Sequence, residues 1–105
     1  MTKVTINPGV CGMTCTIEVS RVDRRQVNLS IDTKCEMLRK ITEELAVLNL
    51  HEVLKPAGKS IVYESAGGAG THAACPVPMA IIKAVEVETG MALPRPVSLV
   101  FESPD

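Results

Sequence analysis

Apolar and polar residues alternate from Cys15 to Arg21, with Cys15, Ile17 and Val19 on one side and Thr16, Glu18 and Ser20 on the other. A period of two marks a strand with one dry and one wet face. Val27-Asn28-Leu29-Ser30-Ile31 repeats the alternation after the polar reversal Asp23-Arg24-Arg25-Gln26, so residues 15 to 31 predict an antiparallel hairpin. Val4 to Ile6 predicts a short strand ended by Asn7-Pro8-Gly9, three residue types that favour turns.

The period then changes. Met37, Leu38, Ile41, Leu45 and Leu48 recur at helical spacing behind Thr33-Lys34-Cys35-Glu36, which has the form of a capping box. This predicts a helix from about Lys34 to about Asn49 with Thr33 as N-cap and Cys35 in its first turn. Residues 51 to 59, with Pro56 and Gly58, read as a connection, Ser60 to Glu64 as a short strand, and the glycine-rich run Ala66 to Ala74 as a loop. A second helix is expected from Pro76 to Gly90, with proline at its first position, Met79, Ile82 and Val85 inward, and glycine as its C-cap. Val97-Ser98-Leu99-Val100-Phe101 predicts a closing strand. The order implies an α+β domain, an antiparallel sheet with two main helices on one face.

At 105 residues the chain is expected to be a single domain. Tyr63 and Phe101 are its only aromatic residues, so the core must be aliphatic and there is no platform for stacking bases. Eleven basic and twelve acidic residues leave a net charge of −1, which draws the chain toward neither phosphate backbones nor membranes. Nucleic acid and membrane are therefore not expected as partners. No apolar run reaches signal-peptide or membrane-span length, and a cytoplasmic location is expected.

In a reducing compartment, four cysteines point to metal ligation or reactive thiols before a disulfide framework. Cys11, Cys15, Cys35 and Cys75 all fall at loops or element ends. Cys35 and Cys75 fall at predicted helix starts, where unpaired backbone N–H groups favour a thiolate. Thiolates bind zinc tetrahedrally and hold iron-sulfur clusters. Sulfurs converging on one rim, with the imidazole of His72 three residues before Cys75, would complete such a shell. Cysteine also serves as a small buried hydrophobe, and the inward position of Cys15 suits that use equally. Ala66 to Gly70 lacks the Gly-Lys-Ser/Thr of a phosphate loop. The two histidines have no serine or carboxylate partner by spacing, so a binding or carrier role is expected ahead of an enzyme.

Pro8-Gly9-Val10-Cys11-Gly12, a hairpin, a cysteine opening a helix, and a His/Cys pair opening a late helix with Met79-Ala80-Ile81-Ile82-Lys83-Ala84-Val85 together resemble the IscU/NifU N-terminal scaffold for iron-sulfur assembly. The likeness spans roughly residues 4 to 90. It implies an IscU/NifU-like fold, zinc or a [2Fe-2S] cluster on Cys11, Cys35 and Cys75, and a cysteine desulfurase or iron-sulfur acceptor protein as partner. The chain departs from that pattern at Met13, where the family carries aspartate, and at Ala74, where it carries histidine. That leaves a ligand position for Cys15 or His72. Cys75-Pro76-Val77-Pro78 also resembles the Cys-Pro-x-Pro of TusA-type sulfur carriers, which implies a persulfide on Cys75. A third reading is an interaction domain with structural zinc.

Overall fold

The computed structural model describes residues 1–103. Strands β1 (Thr2–Ile6), β2 (Cys15–Arg21) and β3 (Gln26–Asp32) are followed by helix α1 (Glu36–Glu44), strand β4 (Val47–Asn49) and helices α2 (Leu50–Val53), α3 (Ile61–Gly68) and α4 (Val77–Glu88), with a 3-10 turn at Ala57–Lys59 between α2 and α3. The four strands form one antiparallel sheet in the order β1-β2-β3-β4. The expected α+β architecture is present.

The expected alternation sets the layers. Cys15, Ile17 and Val19 of β2 and Val27, Leu29 and Ile31 of β3 are all buried on one face. Thr2, Val4 and Ile6 of β1 pair with Val19, Ile17 and Cys15 and extend that face. Helix α4 lies on β1 and β2, α1 lies on β3, and α3 packs between the two helices. Leu38 and Ile41 of α1, Val62 of α3 and Val77, Ile81, Ala84 and Val85 of α4 fill the space between the layers. No helix among the described residues is long and apolar enough to cross a membrane.

The β2–β3 reversal is held by Asp23, whose Oδ1 accepts from the N–H groups of Arg25 at 2.7 Å and Gln26 at 2.9 Å. An aspartate side chain bonding its own downstream backbone is an intrinsic turn former. The β1–β2 connection uses Gly9 and Gly12 at φ of +90° and +67°, conformations that side chains with a Cβ rarely adopt.

Several expected elements differ, and the connection expected over residues 51–59 carries the end of α2 and the 3-10 turn. The helix expected to reach Asn49 ends at Glu44, and Val47–Asn49 turns into a strand whose Leu48 pairs with Val27. Leu48 is buried in the strand, and the strand satisfies the backbone edge of β3 that a helix would leave open. Ser60 to Glu64, expected as a strand, opens α3 instead. The Ser60 hydroxyl caps the helix by accepting from Val62 N–H at 3.4 Å and donates to the Val53 carbonyl at 2.7 Å. Val62, Ser65 and Ala66 are then buried at helical spacing. The first three of the nine residues expected as a glycine-rich loop are thus helix. The expected strand Val97 to Phe101 is no strand here; it stands exposed beyond α4.

Within α4 the inward stripe is shifted: Val77, Ala80, Ile81, Ala84 and Val85 are buried, while Met79 and Ile82 are half-exposed. Pro76 is the N-cap and Pro78 stands inside the first turn. Both α3 and α4 end in the same device. Gly90 at φ +77° donates to the Val87 carbonyl at 3.1 Å, and Met91 N–H donates to Glu86 at 2.8 Å; Gly70 at φ +80° and Thr71 repeat this on Gly67 and Ala66. This pair of bonds is the Schellman motif, and it needs a left-handed residue at its centre.

Glu88 fastens the end of α4 to the sheet. Its carboxylate accepts from Thr2 Oγ1 at 2.7 Å and from the Arg21 N–H at 2.9 Å, and the Met1 amino group lies 3.5 Å away. These donors favour the charged form, the Thr2 hydroxyl foremost, and hold the Glu88 pKa below the usual carboxylate value.

Two stability tests follow from these contacts. No atom lies within 4 Å of a Cβ built on Gly70 or Gly90, so Gly→Ala at either should cost only the left-handed strain, about 1–2 kcal/mol, in denaturant midpoints. Because the folded pKa of Glu88 is lowered, its contribution is present above the unfolded carboxylate pKa and lost as pH falls through the folded one. Glu88→Gln should flatten that acid limb in a series of thermal melts.

Candidate functional site

Three segments meet at the end of the sheet where β2 begins. Cys15, the first residue of β2, is 2 % exposed and belongs to the hydrophobic core. The β3–α1 junction brings Cys35, half-buried and packed on that core. The entrance to α4 brings Cys75, also half-buried and packed on the core. Cys11 is exposed in the β1–β2 connection, four residues ahead of Cys15. All four are free thiols.

Local hydrogen bonds set each thiol. Cys35 occupies the N-cap of α1, with φ −77° and ψ 118°, so the helix starts two residues later than the capping box with Thr33 as N-cap predicts. Its N–H donates to Thr33 Oγ1 at 3.1 Å and its carbonyl accepts from Arg39 N–H at 3.1 Å. Thr33 therefore holds the cysteine turn rather than capping the helix. Arg39 reinforces it by donating from Nε to the Thr33 carbonyl at 3.1 Å, and Glu36 pairs with Arg39 at 3.2 Å instead of reaching back. Cys75 precedes the N-cap Pro76, and its N–H donates to the His72 carbonyl at 3.0 Å. In the Cys11 connection, Gly12 N–H donates to Gly9 at 2.9 Å and Gly9 N–H to Asn7 Oδ1 at 3.1 Å.

The electrostatics of Cys15 report its surroundings. Burial pushes its thiol from 9.0 up to about 11, and the nearby Cys75, Cys35 and Cys11 add to that push, in that order. A thiolate there would be poorly solvated and repelled by three other sulfurs. Cys15 is thus the inner member of a four-sulfur neighbourhood drawn from three chain segments. His72 is exposed and linked to this region through its backbone carbonyl. Among the described residues, no three His, Cys, Asp or Glu side chains are grouped tightly enough to hold an ion as they stand. The thiols share a neighbourhood without forming a closed shell. A shallow cleft of about 430 Å³ lies beside Cys15, lined by residues 12–16 and 32–34.

A family model described as Family of unknown function (DUF6951) matches residues 2–101. The chain belongs to this family. The DUF6951 match takes in β1 through α4, all four cysteines and the exposed segment after α4. No curated protein and no solved structure matches the chain.

Thr33 and Glu88, like Ser60, are polar residues whose roles the sequence misstates or omits. Thr33 carries a capping signal and uses its hydroxyl two residues away. Glu88 carries no signal at all, because its partners lie 86 and 67 residues distant along the chain.

With the Cys15 pKa raised, folding favours the neutral thiol. Its contribution to stability is complete below about pH 9 and is lost as pH rises toward about 11. Cys15→Ala should remove this alkaline loss of stability, read as a flatter melting temperature over that range. In the unsubstituted protein, alkylation under native conditions should modify Cys11 first and Cys15 last; early modification of Cys15 would contradict its burial.

Proposed function

We propose that this protein is a thiolate metal-binding protein that takes zinc or an iron-sulfur cluster on Cys11, Cys35 and Cys75, with Cys15 or His72 completing the shell. The observation that carries the reading is the gathering of Cys11, Cys35 and Cys75 about Cys15 from three separate chain segments. A soft donor set of this kind suits zinc and iron-sulfur clusters over hard cations. The positive charge of a bound metal would reverse the electrostatic problem at Cys15, because sulfurs that repel one another as thiolates are stabilised together by a cation. Cys11 is the exposed sulfur on the β1–β2 connection, so it is the ligand that has to turn inward to close the shell. Iron-sulfur or sulfur handling is the setting this chemistry fits, with a cysteine desulfurase or an iron-sulfur acceptor protein as partner.

A second reading makes Cys75 the site of a carried persulfide. It rests on the half-buried position of Cys75 immediately ahead of the twelve-residue α4. In the third, a closed structural zinc supports an interaction domain.

Metal content and absorption of protein purified with and without oxygen separate these readings. The leading one expects near-stoichiometric zinc or iron after purification or reconstitution, reduced at least tenfold by Cys35→Ser or Cys75→Ser. Occupancy should rise with pH, because binding expels thiol protons. Failure of both metals to bind after anaerobic reconstitution would sink it. Added sulfur on Cys75 after incubation with a desulfurase and cysteine, removable by reductant, would favour the carrier. Unfolding on chelation would favour structural zinc.

A further inference from the structure

The segment after α4 is strand-like in sequence and has nothing to pair with. Val97, Leu99, Val100 and Phe101 are 55, 77, 77 and 91 % exposed, and residues 97–101 make no hydrogen bond to any other described residue. Apolar side chains at alternating positions, held free in water, are the features of a strand awaiting a sheet. The molecule measures 51 Å along its longest axis against 29 and 24 Å across the others. Pro94 and Pro96 bracket Arg95 ahead of the strand-like run, and such a segment is stiff and extended.

The sheet offers an edge that fits. β1 is bonded to β2 alone, so its outer edge is open. It is five residues long, as is the run 97–101, and its inward residues Val4 and Ile6 are only half-buried. The exposed segment departs from α4 next to this strand, since Glu88 bonds Thr2.

We propose that residues 97–101 form a fifth strand on the β1 edge of a second copy of this chain, antiparallel to Thr2–Ile6, and that two copies exchange these arms. Antiparallel pairing with Val97 opposite Ile6, Leu99 opposite Val4 and Phe101 opposite Thr2 puts three apolar arm residues on the dry face. The same register puts Ser98 and Val100 opposite Thr5 and Lys3. Glu102 then becomes a diagonal neighbour of Lys3, whose side chain is 60 % exposed. A parallel arrangement starting from Thr2 carries Glu102 away from Lys3. The arm leaves α4 at the Thr2 end and makes no hydrogen bond to its own β1, so that edge stands open to the arm of another copy. A second copy can meet this register, and two-fold symmetry makes the exchange reciprocal.

Sedimentation and light scattering of the full chain test the idea, together with hydrogen exchange. Twice the monomer mass of 11.2 kDa is expected, with protection at those β1 amides that face away from β2. The double variant Leu99→Asp, Phe101→Asp should run as a monomer with unchanged circular dichroism and at least tenfold faster exchange at those amides. Both side chains lie outside the core and are more than three-quarters exposed in the monomer, so the substitutions remove no buried packing. A monomer at every concentration overturns the proposal, as does a dimer indifferent to the variant or protection that falls on Val47–Asn49 instead.

Discussion

The apolar face of the β1–β2–β3 sheet has to be covered, and that requirement arranges everything else. Ile17, Val19, Val27 and Leu29 point to one side, and an uncovered sheet of such residues would stay exposed to water or to other chains. Helix α4 supplies most of the cover over β1 and β2, α1 supplies it over β3, and α3 closes the seam between them. Every large buried side chain is aliphatic, so the core depends on shape-matched Val, Ile, Leu and Ala rather than on aromatic mass.

The same covering produces the sulfur neighbourhood. When α4 lies on β1 and β2, its entrance falls at the end of the sheet where β2 starts, and Cys75 reaches the surroundings of Cys15. When α1 lies on β3, its N-cap Cys35 arrives at that end too, because β3 is antiparallel to β2. Each helix is short and begins within a few residues of its cysteine, so the packing that buries the sheet also fixes where the thiols stand. The bonds from Cys35 to Thr33 and from Cys75 to His72 are local refinements of a position set by the core.

The opposite end of α4 is tied down by polar contacts instead. Glu88 joins the helix to Thr2 and to Arg21, so one carboxylate bridges the two strands that α4 covers. With apolar packing along its length, a Schellman turn behind it and this bridge, α4 has little freedom to tilt on the sheet. Beyond Gly90 the restraint stops, and the chain runs out as an arm with apolar alternation and an open β1 edge near its root.

The sequence by itself determined the elements whose cues are local: the period-two strands β2 and β3, the Asp23 turn, the α+β class and the glycine that closes α4. It also marked the four cysteines as lying at element ends, and that much of the candidate site was legible. Tertiary structure alone decided that Val47–Asn49 pairs with β3, that Ser60 opens a helix, which stripe of α4 faces inward and that four thiols share one neighbourhood. Periodicity in a window of five residues fits a strand or a helix equally well. The choice is made by a distant partner, such as the unsatisfied edge of β3 or the groove between α1 and α4, and by the burial that only the assembled layers provide.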